Sequence, residues 1–443
     1  MRLALVSLLV LGLMTPVSAP AQECNWQVGW VKVENAKAGK KNWDSDVVMR
    51  FSADFTRRKE VNRVEGYFDQ ASIGCGQSAS LKIMGARSVD VSLYRIGYYK
   101  GAGARLITTI KNAQQITATQ STPPGQYLAK LKSPGYRSTF VPLVITGQVP
   151  SDVTFVSSVL TWQAYNQWGG ESLYKGADGL RETRAISVSL DRPYDGDGSG
   201  QFRYMEQPLV QLMEQLNLDI NYITDVDLDT APDIDSASIV LGGHSEYWTQ
   251  AMRDVIEKEI GEGTNLLVFG GNTAYAKTYL INRTMNERIP YRDINQPESL
   301  FMGSQFFAMG IKKDLEVQAA QSWPFDTLGK AGKIKGIYGY EADTAMGTIG
   351  PGVEVLARST ISPTEKGFVA MSTYYAAPSG AGVLNLGTNA WVCAMANRCP
   401  WGHSFDAKTM QQIRKVTTAI IEQAGREKIG NWRVPQIDIP TRP

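Results

Sequence analysis

"SASIVLGGHSEYWTQAMRDVIEKEIGEGTNLLVFGGN", Ser236 to Asn272, reads as strand, helix, strand. Two short apolar runs, each ending in Gly-Gly, flank a segment of helical period. In that segment Trp248, Met252, Val255, Ile256 and Ile260 share one face, with Arg253, Asp254, Glu257 and Lys258 opposite. Gly261 and Gly263 supply the stop. Ser245 and Glu246 read as the cap and first turn of this helix, where free amides and the macrodipole favour them. Outward from here the same rhythm holds. "VTFVSSVLTW" is a buried-strand candidate, "MEQPLVQLMEQL" has helical spacing, and "NLDINYITD" and "GVLNLGTNAW" read as further strands. "AKTMQQIRKVTTAIIEQAG" is a final helix, and about 300–380 reads as a β-rich insertion. Such alternation predicts an open, mostly parallel sheet covered by helices.

Before Ser151 the rhythm differs. "DVVMRFSADF", "ASLKIMG", "VDVSLYRIGYY", "ARLITTI", "QYLAKL" and "TFVPLVITG" are short runs between turn residues, without helical period. This spacing predicts a β-sandwich. Ahead of it, Met1-Arg2, the apolar run Leu3 to Leu13 and Ala19-Pro20-Ala21 predict a secretory signal over 1–21. The run is too short for a membrane anchor, so a periplasmic or secreted protein with no anchor after cleavage is expected. The four cysteines would then be oxidised. Of three connectivities, Cys24–Cys75 and Cys393–Cys399 keep each pair within one part of the chain. A formal net charge of +2 in 443 residues, with no long basic run, argues against a nucleic-acid partner.

Ligands of open α/β sheets bind beyond the carboxyl ends of the strands. The residues following the predicted strands there are Tyr165, Asn166 and Trp168, then Asp225, then His244, Ser245 and Glu246, then Asn272 and Tyr275. If the strands are neighbours, Tyr165, His244, Glu246 and Asn272 share one crevice. His244 is one of only two histidines, and histidine has no capping advantage. A serine nucleophile at Ser245 is poorly served: the final glycine of G-x-S-x-G is missing and only His403 is left as a base. Phenolate and carboxylate oxygens instead suit a hard cation, which could polarise a carbonyl without a nucleophilic side chain.

"YRIGYYKGAGARLI" (94–107), "TWQAYNQWGG" (161–170), "GGHSEYWT" (242–249) and "FGGNTAYAK" (269–277) together resemble the C-terminal region of the N,N-dimethylformamidase large (β) subunit family. The likeness spans roughly 85 to 425. It implies a mononuclear iron (Fe3+) site of two tyrosines and one glutamate. Tyr165 and Glu246 match two of these ligands, and Tyr127 takes the third place by spacing, with Tyr98 and Tyr99 as substitutes. His244 and Asn272 become the groups facing the substrate. The resemblance also implies a further glutamate acting as general base from a late segment. Between Ser379 and Trp391 only Asn385, Thr388 and Asn389 are offered.

The expected fold is therefore α/β with an N-terminal all-β domain. The resemblance implies that an immunoglobulin-like β-sandwich, over 22–150, precedes a glutamine-amidotransferase-like (Rossmann-like), mostly parallel sheet over 151–430, with a tail over 431–443. The expected function is an exported, iron-dependent hydrolase of C–N bonds in a small amide, with homo-oligomerisation left open. The alternative is a non-catalytic secreted binding protein, for carbohydrate, using the ten tryptophans. The missing late carboxylate favours that alternative.

Overall fold

The computed structural model describes residue 24 and residues 26–49, 62–147, 150–318, 322–329, 332–346, 352–359 and 369–438. The expected signal, and most of the run "DVVMRFSADF", lie outside the described residues. In chain order, the N-terminal elements are α1 (Trp30–Asn35), β1 (Glu65–Phe68), β2 (Ser72–Ile73), β3 (Ser78–Met84), β4 (Asp90–Ile96), β5 (Ala104–Ile110), β6 (Gln115–Thr117), β7 (Gly125–Lys132) and β8 (Thr139–Ile145). Next come β9 (Ser151–Ser157), α2 (Val159–Tyr165), β10 (Ser187–Ser189), α3 (Phe202–Met205), α4 (Gln207–Gln215), β11 (Ile220–Thr224), α5 (Asp225–Leu228), β12 (Ser236–Leu241), β13 (Tyr247–Trp248), α6 (Gln250–Glu262) and β14 (Asn265–Val268). The chain continues through β15 (Ala276–Ile281), β16 (Thr284–Pro290), α7 (Ser299–Met302), β17 (Ser304–Val317), β18 (Lys333–Ala345), β19 (Glu354–Ser359), β20 (Met371–Ala376) and β21 (Gly382–Asn385). It closes with α8 (Ala390–Ala394), α9 (Ala407–Ala424) and α10 (Ile429–Trp432).

The result is a mixed α/β protein with several sheets. Strands β11, β9, β12, β14 and β21 run parallel, side by side in that order, with Ile239 opposite Leu266 and Val240 opposite Leu267. Successive residues point to opposite faces, so Val240 and Leu267 enter one core while Ile239, Leu241, Leu266 and Val268 enter another. Helix α9 covers the first face with Ile413, Val416 and Ile420, and α6 the second with Met252, Val255 and Ile256. Burial on both sides is why these strands read as unbroken apolar runs.

Three expectations need correction. Residues 304–376 are no separate insertion, because β20, β19, β17 and β18 continue the same sheet as its antiparallel half. "VTFVSSVLTW" is not one strand. It breaks at Ser157 and continues as α2, whose first-turn amides are met by distant carboxylates, Ser158 N donating to Glu206 and Leu160 N to Asp225. Tertiary capping thus overrides the β-propensity of the segment. Helix α6 does not begin at Ser245. Thr249 is its cap, accepting from Met252 N, and Ser245 and Glu246 lie ahead of the short strand β13.

In the N-terminal part, the three-stranded sheet β1-β3-β6 faces the five-stranded sheet β2-β8-β7-β4-β5 across a core that includes Leu81, Ile116, Leu93, Leu131 and Leu143. One helix, α1, stands where only strands were expected. The disulfides are Cys24–Cys75 and Cys393–Cys399, as read from the sequence. The outer face of the five-stranded sheet is also buried, against α4 and β11, and a polar network crosses that seam. Arg95 pairs with Glu214 at 2.5 and 2.9 Å, both fully buried. Asn35 Nδ2 and Tyr222 OH each donate to Glu214 at 2.7 Å. Removing one partner of a buried pair strands the other charge. Glu214→Ala is therefore expected to cost about 3–5 kcal/mol of unfolding free energy, measured by urea denaturation. A loss below about 1 kcal/mol would mean the seam is held by apolar packing alone.

Candidate functional site

The four sequence-selected residues gather because β9, β12 and β14 are neighbours. Tyr165 closes α2, which starts from the end of β9. His244 and Glu246 lie in the β12–β13 connection, and Asn272 follows β14. Two Gly-Gly turns make the close approach feasible. A Cβ on Gly270 would lie 2.7 Å from Gly242 O, and one on Gly242 would lie 2.7 Å from Glu206 Cγ. Asn272 is left-handed, with φ 55°, a conformation asparagine tolerates better than most residues.

Glu246 is the hub. Tyr165 OH donates to its Oε2, and Arg288 Nη2 donates to Oε1 at 3.0 Å. Arg288, from β16, also donates through Nε to Tyr247 OH at 2.8 Å. His244 lies with Nε2 3.7 Å from Glu246 Oε2 and 3.3 Å from Glu341 Oε2. Its Nδ1 is 3.0 Å from Gln201 Oε1, so Nδ1 carries a proton. Burial alone would depress the imidazole pKa. The hydrogen bond and charge of Glu341, then the charges of Glu246 and Asp343, reverse this and hold it above the ordinary value. Tyr165 is pushed well above the usual phenol range by burial, then by Glu246 and Glu341. Without a cation it remains a phenol.

Glu341, from β18, is the carboxylate that sequence reasoning missed. Strand β21 supplies Asn385, while Glu341 enters from β18, in the antiparallel half of the sheet. Its Oε2 accepts from Asn389 Nδ2 at 2.9 Å and Asn272 Nδ2 at 3.3 Å, and its own N–H donates to Asn389 Oδ1 at 3.1 Å. Two positions on, Asp343 Oδ1 accepts from Asn272 N at 2.8 Å, and Oδ2 from Asn385 at 2.9 Å. Burial raises its carboxyl to about 7. The available signal was "GYEADTA", with two carboxylates at alternate positions of a strand whose neighbours are apolar. Arg288 gave no comparable signal, since nothing in "TMNERIP" distinguishes it from a solvated cation.

Other expected positions go elsewhere. Tyr127 is buried in the sandwich core, its OH donating to Pro123 O, and does not join Tyr165 and Glu246. Tyr99 belongs to the Arg95 network. Two tyrosine rings lie beside Tyr165: Tyr174, 4.9 Å between centroids, and Tyr247, at 6.1 Å. Asp225 caps α2. Ser245 Oγ accepts from Trp248 Nε1 at 3.0 Å, and His403 packs against Gly339, so the serine-nucleophile reading gains nothing. Two surface clefts, one bordered by Arg63 and Asp197 and one by Met410 and Lys415, include none of the cluster residues.

Among the described residues, no three His, Cys, Asp or Glu side chains are arranged to hold a metal ion. A cation here would depend on the phenol oxygen of Tyr165 as well. The donor set suits a hard ion, and His244 Nε2 lies buried beside it, 3.7 Å from Glu246 Oε2 and 3.3 Å from Glu341 Oε2. Tyr165 and Glu246 therefore fit; Tyr127 does not.

Glu206 ties the cluster to its supports. It is fully buried, accepts from Ser158 N at 3.1 Å and Trp162 Nε1 at 3.0 Å, and packs on Gly242. Burial raises its pKa from 4.5 to about 8. A folded pKa above the unfolded one favours folding most below the unfolded value, and the gain is lost as pH rises through the folded one. Glu206→Gln keeps both accepted bonds and no longer titrates. Its melting temperature is expected to exceed that of the parent at pH 8 and to lose the parent's decline between about 4.5 and 8. Parallel declines in both proteins would assign the pH dependence to other groups.

Parallel strands that deliver a buried phenol, an imidazole and one carboxylate beyond their carboxyl ends, where Glu341 meets them from the antiparallel half, define an α/β protein with a polar centre at the carboxyl end of the sheet. The chain belongs to the N,N-dimethylformamidase beta subunit-like, C-terminal family, whose sequence pattern matches residues 111–292 and 281–401. It is thus a dimethylformamidase-like protein. No curated protein matches it.

Proposed function

We propose that this protein is an exported, iron-dependent hydrolase of the C–N bond of a small amide. The observation that carries the reading is the convergence of Tyr165, Glu246, His244 and Glu341 around one buried point. Tyr165 and Glu246 would hold the ion, with Tyr174 in place of Tyr127 as the second phenol. A ferric ion supplies Lewis acidity toward the substrate carbonyl. Arg288 fixes Glu246 so that Oε2 faces the cluster. Glu341, held by Asn389 and Asn272, takes a proton from the attacking water as its oxygen bonds to the carbonyl carbon. The C–N bond then breaks, and the amine leaves with a proton returned from Glu341 or His244.

The two disulfides support export, since such bonds persist in oxidising compartments. Among the described residues no helix is long and apolar enough to cross a membrane. The facing sheets support an immunoglobulin-like sandwich within 22–150, and the parallel strands a glutamine-amidotransferase-like unit over 151–430. The alternative of a carbohydrate-binding protein rested on the sandwich, the ten tryptophans and a missing late carboxylate; the presence of Glu341 beside His244 supports the hydrolase reading over it. Protein purified from iron-replete medium is expected to contain iron, show a tyrosinate-to-iron charge-transfer band, and release amine from formamides. Iron-free protein with no such band counts against the reading.

A further inference from the structure

Two sets of contacts grip β18 at Glu341, and in the sequence they stand on either side of a disulfide. Before it, Asn389 Nδ2 donates to Glu341 Oε2 at 2.9 Å, and Glu341 N donates to Asn389 Oδ1 at 3.1 Å. Gly339 N likewise donates to Thr388 Oγ1 at 3.0 Å. After it, the Trp401 ring stacks on Tyr340, with 5.0 Å between centroids and 10° between planes. The bridge between these contacts is Cys393–Cys399, which spans six positions. Helix α8 starts directly after Asn389 and is five residues long, too short to hold its own ends. The bridge ties this helix to the segment that carries Trp401. Cys393 is fully buried, whereas Cys399 is partly exposed. A thiol in solution therefore has access to the Cys399 sulfur, from which exchange can start.

We infer that Cys393–Cys399 is a redox-controlled positioning device for Glu341. Closed, it keeps Asn389 and Trp401 against residues 339–341 and the carboxylate in place for the attacking water. Opened, it loosens that grip and slows proton transfer. This rests on the hydrolase reading and adds its regulation. Opening takes two electrons and two protons from a dithiol, which is itself oxidised to a disulfide while Cys393 and Cys399 become thiols. A chain still in a reducing compartment would hold its base loosely, and full activity would begin once the pair is oxidised.

The test uses the full-length protein with N,N-dimethylformamide, reading kcat and KM from amine release. Cys393→Ala/Cys399→Ser, which leaves Cys24–Cys75 in place, is expected to lower kcat roughly ten- to a hundredfold, the cost of a misplacement of about 1 Å. Iron content and KM should stay as in the parent. The parent, reduced with dithiothreitol and desalted, is expected to lose the same factor and regain it on reoxidation, whereas the double variant treated alike keeps its rate. In Glu341→Gln the two cysteine substitutions should cost no further kcat, a result that general loosening of the fold would not give. An unchanged kcat without the bridge, or an equal loss in Glu341→Gln, overturns the inference and leaves the hydrolase intact. If no amide is cleaved, the hydrolase reading falls, and hydrogen exchange decides the grip, as it does if the double variant fails to fold. On reduction of the parent, the amides of Gly339 and Glu341 are expected to exchange about tenfold faster or more, while those of β12 and β14 keep their rates. Unchanged exchange at Gly339 and Glu341 overturns the inference.

Discussion

Glu246→Ala is expected to yield protein without bound iron and to lower amide cleavage about a thousandfold. Loss of a Lewis acid removes several kcal/mol of transition-state stabilisation, and each 1.4 kcal/mol or so is tenfold in rate. Among the described residues, Glu246 is the carboxylate that accepts from Tyr165 OH, while Glu341 is engaged by Asn389 and Asn272. Alanine also strands Arg288, whose guanidinium is nearly buried between Tyr247 and Tyr275. Glu246→Gln is the control for folding, because its amide oxygen can still accept from Arg288. Elemental analysis beside a thermal melt separates the effects: both variants should lack iron, but only alanine should melt substantially lower. Full iron content in folded Glu246→Ala would exclude Glu246 as a ligand.

Glu341→Gln is expected to behave differently. The side chain keeps its size, and its amide oxygen can accept from Asn389 and Asn272, so iron content and KM should change little. The value of kcat should fall roughly a hundred- to ten-thousandfold, the range general-base catalysis contributes. A loss of kcat with retained iron assigns Glu341 to proton transfer. If iron is lost as well, Glu341 is a ligand rather than a base. If kcat is unchanged, another group moves the proton, and Asp343, with its carboxyl raised to about 7, is the next to test.

The parts of this molecule legible in sequence are those set by short-range periodicity. Strands β12 and β14, buried on both faces, show as apolar runs, and α6 and α9 show as amphipathic repeats. The gathering of Tyr165, His244, Glu246 and Asn272 was legible for the same reason, as adjacent parallel strands place their carboxyl ends together. What failed depended on contacts distant in the chain. Helix α2 is capped by Glu206 and Asp225, which lie 48 and 65 positions from the amides they accept. Ser245 and Glu246 have the composition of a helix start, yet Thr249 takes the cap because β13 first pairs with β15. Tyr127 suited a ligand by spacing alone, whereas its strand runs through the sandwich core. Glu341 escaped notice because β18 joins the sheet at its far edge and reaches the cluster through the chain around Thr388 and Asn389, which bonds to residues 339–342.

The most direct measurement is anomalous diffraction at the iron absorption edge from crystals of protein purified from iron-replete medium. A single peak beside Tyr165 Oη and Glu246 Oε2 is expected. A map with no peak there, from protein that cleaves an amide, would contradict the iron-dependent site.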